Sequence, residues 1–226
     1  MLEQLKRILV IVGHYGSGKT NLAVNLAMDF RKAGKEVALA DLDIVNPYFR
    51  SADFTGLLEE NGIEMIAPPY ARTNLDIPAL TARLDAVLDT DRQIVIDVGG
   101  DDAGAAALGR YSAAIQEAGG CDMLYVVNGY RYLTRTAAEA SSLLSEIQNA
   151  SRLEATAVVN NSNLGELTTP QVIADKLLFA QETAACYGLP LLFTAVPEEF
   201  SGEVRSMIPD SEVYPVRVYV KKPWEV

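Results

Sequence analysis

Gly13-His14-Tyr15-Gly16-Ser17-Gly18-Lys19-Thr20 fits the spacing G-x-x-x-x-G-K-[ST], and its flanks decide how it reads. Before it, Arg7-Ile8-Leu9-Val10-Ile11-Val12 reads as a buried strand. After it, Asn21-Leu22-Ala23-Val24-Asn25-Leu26-Ala27-Met28 spaces its apolar residues as a helix does. Strand, glycine loop and helix in that order make a phosphate cradle. The glycines let backbone N–H groups turn around an anion, and the helix N-terminus adds partial positive charge. Lys19 brings a full charge to the β- and γ-phosphates, and the Thr20 hydroxyl is placed to ligate Mg²⁺.

Outward from this loop, the first helix should stop near Gly34, a residue suited to a helix C-terminus. Glu36-Val37-Ala38-Leu39-Ala40 reads as a second strand that ends in Asp41-Leu42-Asp43, with Pro47 stopping regular structure beyond. Asp41 and Asp43 then sit at the carboxyl edge of a sheet, where ligands bind in open α/β folds, or else they cap a turn. Gln93-Ile94-Val95-Ile96-Asp97-Val98 is an apolar strand ending in an aspartate, the pattern that holds Mg²⁺ through water from across the sheet. Asp97 to Gly100 also forms D-x-x-G, in which the Gly100 N–H can sense a γ-phosphate. Asp101 or Asp102 should cap a helix beginning near Ala103.

Strands are further expected at 62–66, 123–128, 155–159 and 190–196, with helices at 49–60, 75–88, 134–149 and 169–187. Thr169 is the expected N-cap of the last helix, with Pro170 at its first position. The alternation predicts an α/β, three-layer fold over residues 1–226 as one domain: a mostly parallel twisted sheet of about seven strands, with helices on both faces. The Val/Tyr alternation after Ser211 adds a last strand or wraps the surface. The loop with Tyr70 and Arg72 either touches a substrate or partner or is ordinary surface. Arg131 and Arg135, at i and i+4, read as a solvated helix face.

Composition narrows the function classes. Of 226 residues, 49% are hydrophobic, enough for a substantial core, yet no apolar run reaches the length of a membrane span. The formal net charge of −11 argues against a non-specific DNA binder. Two cysteines, Cys121 and Cys186, lie far apart and make no C-x-x-C. With no signal-like segment before the first strand, a cytoplasmic location is expected. The single histidine, His14, excludes a His-rich metal site.

Together the glycine loop, the Asp41-Leu42-Asp43 segment reaching Asn46, Asp97 to Gly100 and the strand ending at Asn160 resemble the MinD/ParA/Mrp group of P-loop ATPases. The resemblance implies ATP and Mg²⁺ as ligands. It implies that Asp43 orients the attacking water while Asp41 lies near the metal shell with Thr20 and Asp97. It further implies that Asn160 hydrogen-bonds adenine and that the loop at Pro197 packs along the base. The nucleotide-binding set is then Gly13, His14, Tyr15, Gly16, Ser17, Gly18, Lys19, Thr20, Asn21, Gly100, Asn160 and Pro197, with Lys19 and Asp43 catalytic. Asn160-Asn161-Ser162-Asn163 lacks the carboxylate that would pair with guanine, which favours ATP over GTP. Many members of the group carry a second lysine where this chain has His14, a group mostly neutral at pH 7. His14 is either a replacement for that charge or simply a loop residue beside the nucleotide.

The expected activity is that of an ATPase switch serving an unidentified protein partner as an assembly or maturation factor. A nucleotide-dependent homodimer is possible within that reading, and neither DNA nor a membrane is expected as a partner. The competing reading is a small-molecule kinase or ATP-dependent carboxylate-activating enzyme, related to dethiobiotin synthetase and the cobyrinic-acid amidases. In it Tyr70, Arg72 and the loop from Asn128 to Arg131 would form an acceptor pocket.

Overall fold

The computed structural model describes residues 2–43, 51–67, 77–100 and 102–219. In chain order the elements are β1 (Ile8–Val12), α1 (Lys19–Lys32), β2 (Val37–Leu42), α2 (Thr55–Glu60), β3 (Ile63–Ile66), α3 (Ile77–Leu88), β4 (Gln93–Val98), α4 (Asp102–Gly109) and α5 (Ser112–Glu117). They continue as β5 (Cys121–Val127), α6 (Ala137–Ser151), β6 (Ala157–Asn160), α7 (Pro170–Ala174), α8 (Leu177–Ala185), β7 (Leu191–Pro197), α9 (Ser201–Met207) and β8 (Val213–Val216).

The strands form one sheet in the order β3-β2-β4-β1-β5-β6-β7-β8. Every pairing is parallel. The fold class is therefore α/β as expected, with eight strands where about seven were anticipated. The additional one is β8, the Val/Tyr segment near the C-terminus, which pairs with β7 from Thr194↔Val213 to Pro197↔Val216.

Side chains alternate across the sheet, so each strand feeds two cores. Ile8, Val10 and Val12 pack with Ile94, Ile96, Leu108, Leu144 and Phe179 on the face covered by α3, α4, α5, α6 and α8. Leu9 and Ile11 pack with Leu22, Leu26, Val95, Leu124 and Phe193 on the face covered by α1. A smaller cluster of Ile173, Val196, Val204, Ile208 and Val213 seals α7 and α9 onto the sheet edge. Strands buried on both faces must be apolar nearly throughout, which is why these runs read so clearly.

Several element boundaries differ from expectation. β2 runs through Asp41 to Leu42, because Asp41 pairs in register with Asp97 of β4. The helix expected at 169–187 is two helices, broken between Ala174 and Leu177, although Thr169 caps the first as expected by accepting from Val172 N at 3.3 Å. The 134–149 helix starts later, at Ala137, where Thr136 and Glu139 form a reciprocal capping box. Arg131 and Arg135 therefore precede α6, on either side of the short 3-10 turn Tyr132–Thr134, and do not form a helix face. Asn46, Tyr70, Arg72 and Asp101 lie outside the described residues. Among the described residues no helix is long and apolar enough to cross a membrane.

Candidate functional site

The order of strands reverses around β1, so loops from β1, β2, β4, β5 and β6 meet at one carboxyl edge. The loop between β1 and α1 lies at the centre. Gly18 enters α1 at φ 87°, and a Cβ there would stand 2.2 Å from Nδ2 of Asn161. Left-handed backbone and close approach together require glycine. Lys19 is buried and its Nζ donates to the His14 carbonyl at 3.1 Å, which draws the ammonium back over the loop. Ser17 N donates to the same carbonyl at 3.1 Å. Ser17 Oγ is buried and has no hydrogen-bond partner.

Two side chains from neighbouring strands hold the backbone of this loop. Asn161, just after β6, donates from Nδ2 to the Ser17 carbonyl at 2.7 Å. Arg131, in the loop after β5, donates from Nε to the Gly16 carbonyl at 2.8 Å. In a trans peptide the N–H points opposite to the C=O. Fixing the Ser17 carbonyl outward therefore turns the Gly18 N–H to the other side. The β5 and β6 loops are joined to each other. Asn128 is fully buried, with Oδ1 accepting from Tyr130 N at 3.0 Å and Nδ2 donating to the Asn163 carbonyl at 3.2 Å. Gly129 N donates to Ser162 Oγ at 3.0 Å.

Beneath the loop lie the carboxylates. Asp41 and Asp97 are in register on β2 and β4, and both are about 1% exposed. Strand alternation puts them on the face covered by α1, since Leu39 and Val95 two residues earlier pack there. Asp41 Oδ1 accepts from Asp43 N at 2.8 Å, which fixes the turn that carries Asp43. Asp97 Oδ2 accepts from Ser51 Oγ at 2.7 Å. Burial raises the Asp97 pKa above the ordinary carboxyl range, against the opposing pull of the Ser51 hydroxyl, the Lys19 charge and the Thr20 hydroxyl; the Asp43 charge raises it further. Asp97 Oδ1 is buried and has no partner.

These residues fit a hydrated divalent cation. Among the described residues no three His, Cys, Asp or Glu side chains cluster as a metal cage. The fit is of another kind: the Thr20 hydroxyl beside a buried carboxylate with one oxygen left over, next to a loop shaped for phosphate. Gly100 lies against this assembly. A Cβ there would stand 2.5 Å from Tyr15 N and 2.7 Å from Tyr15 Cα, so the segment after β4 and the loop touch backbone to backbone.

The remaining expected site residues lie as follows. His14 is half-buried with Nδ1 2.9 Å from the Tyr15 carbonyl; burial, and then the nearby Lys19 and Arg131 charges, lower its pKa against the opposing pull of that carbonyl, which favours the neutral ring. Tyr15 is exposed. Asn21 turns away from the loop: Nδ2 donates to the Arg217 carbonyl at 2.9 Å and Oδ1 accepts from Tyr219 N at 2.8 Å. Asn160 is fully buried, reaching Thr194 Oγ1 at 3.4 Å and accepting from Ser162 N at 3.2 Å, so in this arrangement its side chain builds the loop. Asn163 folds into its own turn, donating to the Asn161 carbonyl at 2.8 Å and accepting from Gly165 N at 3.2 Å. Pro197 closes β7, half-buried, at the same sheet edge.

From sequence Ser51 carries no role, Arg131 is read as part of a helix face or an acceptor pocket, and Asn161 only as part of a base-reading segment; the structure puts Arg131 and Asn161 on the glycine loop and Ser51 on Asp97. Asn161 and Arg131 each follow a buried strand at the carboxyl edge, a placement that becomes informative once β5 is known to adjoin β1. Ser51 carries no local signal.

Residues 8–164 match the family model described as the CobQ/CobB/MinD/ParA nucleotide binding domain. No curated protein matches the chain in sequence. Among solved structures, FtsY from Mycoplasma mycoides is similar with a TM-score of 0.59 at 13% identity, over 84% of this chain and 59% of that one. Chloroplast FtsY from Physcomitrella patens gives 0.56 at 18% identity, over 84% and 59%. The 54 kDa signal recognition particle protein from Aeropyrum pernix K1, solved with GDP, gives 0.51 at 20% identity, over 83% and 40%. The chain thus spans about three fifths or less of the length of these structures, and the likeness is one of fold.

Proposed function

The chain belongs to the CobQ/CobB/MinD/ParA nucleotide-binding domain family, and we propose that it is a Mg-ATP-hydrolysing switch whose nucleotide state is read by a partner protein. In this reading it serves as an assembly or maturation factor. The observation that carries the proposal is the in-register pair Asp41 and Asp97 under the glycine loop, with Asp43 held on the turn that follows. A carboxylate poised beyond the phosphates is what water activation needs, and buried Lys19 supplies charge to the transferring phosphoryl group. Thr20 and Asp97 would hold Mg²⁺, which when bound neutralises phosphate charge.

Asp43 orients water for in-line attack on the γ-phosphorus, and the bond to the leaving ADP oxygen breaks as the new bond forms. Gly100 supports the switch half of the proposal. Its backbone contact with Tyr15 gives the segment after β4 a direct route to feel what the loop binds. ATP is favoured over GTP because Asn163, where a guanine-reading carboxylate would be needed, is turned into its own loop. The kinase reading is less well supported, since Arg131, assigned there to an acceptor pocket, is bound to the Gly16 carbonyl.

The test compares wild type and Asp43→Ala with Mg-ATP and Mg-GTP, by nucleotide titration, phosphate release and light scattering. Asp43→Ala should bind Mg-ATP within about threefold of wild type and lose at least about 100-fold in turnover. A mass that doubles with ATP but not ADP would identify a second copy as the first partner. Normal turnover in Asp43→Ala, or preference for GTP in wild type, would overturn the corresponding assignment.

A further inference from the structure

Arg131 is an exposed arginine held rigidly against a phosphate cradle. Its Nε donates to the Gly16 carbonyl at 2.8 Å. A Cβ built on Gly16 would meet Arg131 Nε at 3.3 Å, Cζ at 3.4 Å and Cδ at 3.7 Å, so the guanidinium lies directly on the loop. The segment that carries it is equally fixed. Arg131 N donates to the Asn128 carbonyl at 3.1 Å, Thr134 N to the Arg131 carbonyl at 3.1 Å, and Thr134 Oγ1 to the Asn128 carbonyl at 3.0 Å. Asn128 and Thr134 are both buried.

A long side chain on a protein of net charge −11 has many acidic partners to choose from. Arg131 forms no ion pair among the described residues, and its Nη1 and Nη2 donate to none of them. An arginine fork whose Nε is anchored presents its remaining donors in a fixed plane suited to phosphate oxygens. Beside Lys19, the loop's other basic side chain is His14, whose charged form burial and the neighbouring cations disfavour. The geometry points to Arg131 as a second phosphate ligand of the site, anchored by Nε to Gly16 and binding phosphate oxygens of the nucleotide through its Nη pair.

This inference rests on the nucleotide reading of the loop and not on the choice of ATP. The experiment measures affinities of wild type, Arg131→Gln and Arg131→Lys for Mg-ATP, Mg-GTP and adenosine, each at low and high salt, with thermal melting as the fold control. Glutamine can still donate to the Gly16 carbonyl but carries no charge. Arg131→Gln should weaken binding of the preferred triphosphate about 10- to 100-fold, flatten its salt dependence and leave adenosine binding unchanged. Arg131→Lys, which keeps the charge without the fork, should fall between. If Arg131→Gln binds the triphosphate as wild type does, with the same salt dependence, Arg131 merely supports the loop and the inference is overturned. Wild type that binds neither triphosphate would instead overturn the nucleotide reading, and wild type that prefers GTP would overturn only the assignment of ATP.

Discussion

Asp41 and Asp97 stand side by side on adjacent parallel strands, in register and almost completely buried. Two carboxylates so placed are a poor choice for stability: burial disfavours their charged forms, and like charge adds to the cost. Ligand chemistry explains what stability does not. A cation and a phosphate-bearing ligand would repay the burial, and Asp97 Oδ1, without a partner, marks where the debt lies.

A pH dependence follows. The raised pKa of Asp97 means that the folded protein binds this proton more tightly than the unfolded chain, whose value is 3.8. The stabilising effect of the proton is complete below 3.8 and is lost as pH rises through the higher folded value. Without nucleotide, Asp97→Asn should melt no lower than wild type at pH 8, and its advantage should shrink towards pH 4. With Mg-ATP the order should reverse, because the variant loses about tenfold or more in Mg²⁺-dependent affinity. Calorimetry at both pH values, with and without Mg-ATP, checks this; a variant less stable than wild type at pH 8 in the absence of ligand contradicts it.

Ser51 supplies the next prediction. Its hydroxyl holds Oδ2 of Asp97 at 2.7 Å, which leaves Oδ1 for the hydrated cation. Partners that orient a metal-binding carboxylate are typically worth 10- to 100-fold in metal affinity. Ser51→Ala should therefore raise the Mg²⁺ concentration needed for nucleotide binding by about that factor, while binding measured in EDTA stays the same. An equal loss with and without Mg²⁺ would show that Ser51 only packs.

How much of this was legible from sequence depends on range. The glycine loop was readable because its chemistry is local: glycines, lysine and threonine lie within one turn between a strand and a helix. The last residues of β2 were not, since an aspartate reads as the end of an apolar strand unless its neighbour Asp97 is known. Arg131 and Asn161 come to the loop from across the sheet, and only the strand order brings them there. The break between α7 and α8 falls at Asp175-Lys176, with no glycine or proline to announce it.

Gly100 and Gly56 form a matched pair of tests. A methyl group at Gly100 would collide with the Tyr15 backbone at 2.5 Å, whereas one at Gly56, inside α2, would meet nothing within 4 Å. Gly100→Ala should weaken Mg-ATP binding about tenfold or more by displacing the loop. Gly56→Ala should stabilise the protein by about 0.5–1 kcal/mol, the helix-propensity gain, with binding unaltered. Wild-type affinity in Gly100→Ala would mean that the contact can relax without moving the loop.

Asn21 and Asn25 decide whether the first turn of α1 serves the nucleotide or the C-terminal segment. Asn25 Nδ2 donates to the Arg217 carbonyl at 2.9 Å, and its Oδ1 accepts from Arg217 N at 2.8 Å. Asn21 holds the Arg217 carbonyl and Tyr219 N from one turn earlier, directly after Thr20. Replacing Asn21 with alanine takes the partner from Tyr219 N and replacing Asn25 takes it from Arg217 N, while the Arg217 carbonyl keeps the other asparagine, so each change costs about 0.5–1.5 kcal/mol at this partly exposed site. That corresponds to a fall of roughly 1–6 °C in melting temperature for a chain of this size. If the Asn21 side chain acts only as a clamp, Asn21→Ala and Asn25→Ala should lose similar stability, and both should bind Mg-ATP within about threefold of wild type. A selective loss of affinity in Asn21→Ala, with Asn25→Ala unaffected, would place Asn21 in the nucleotide site and show that the side chain leaves the tail when nucleotide binds.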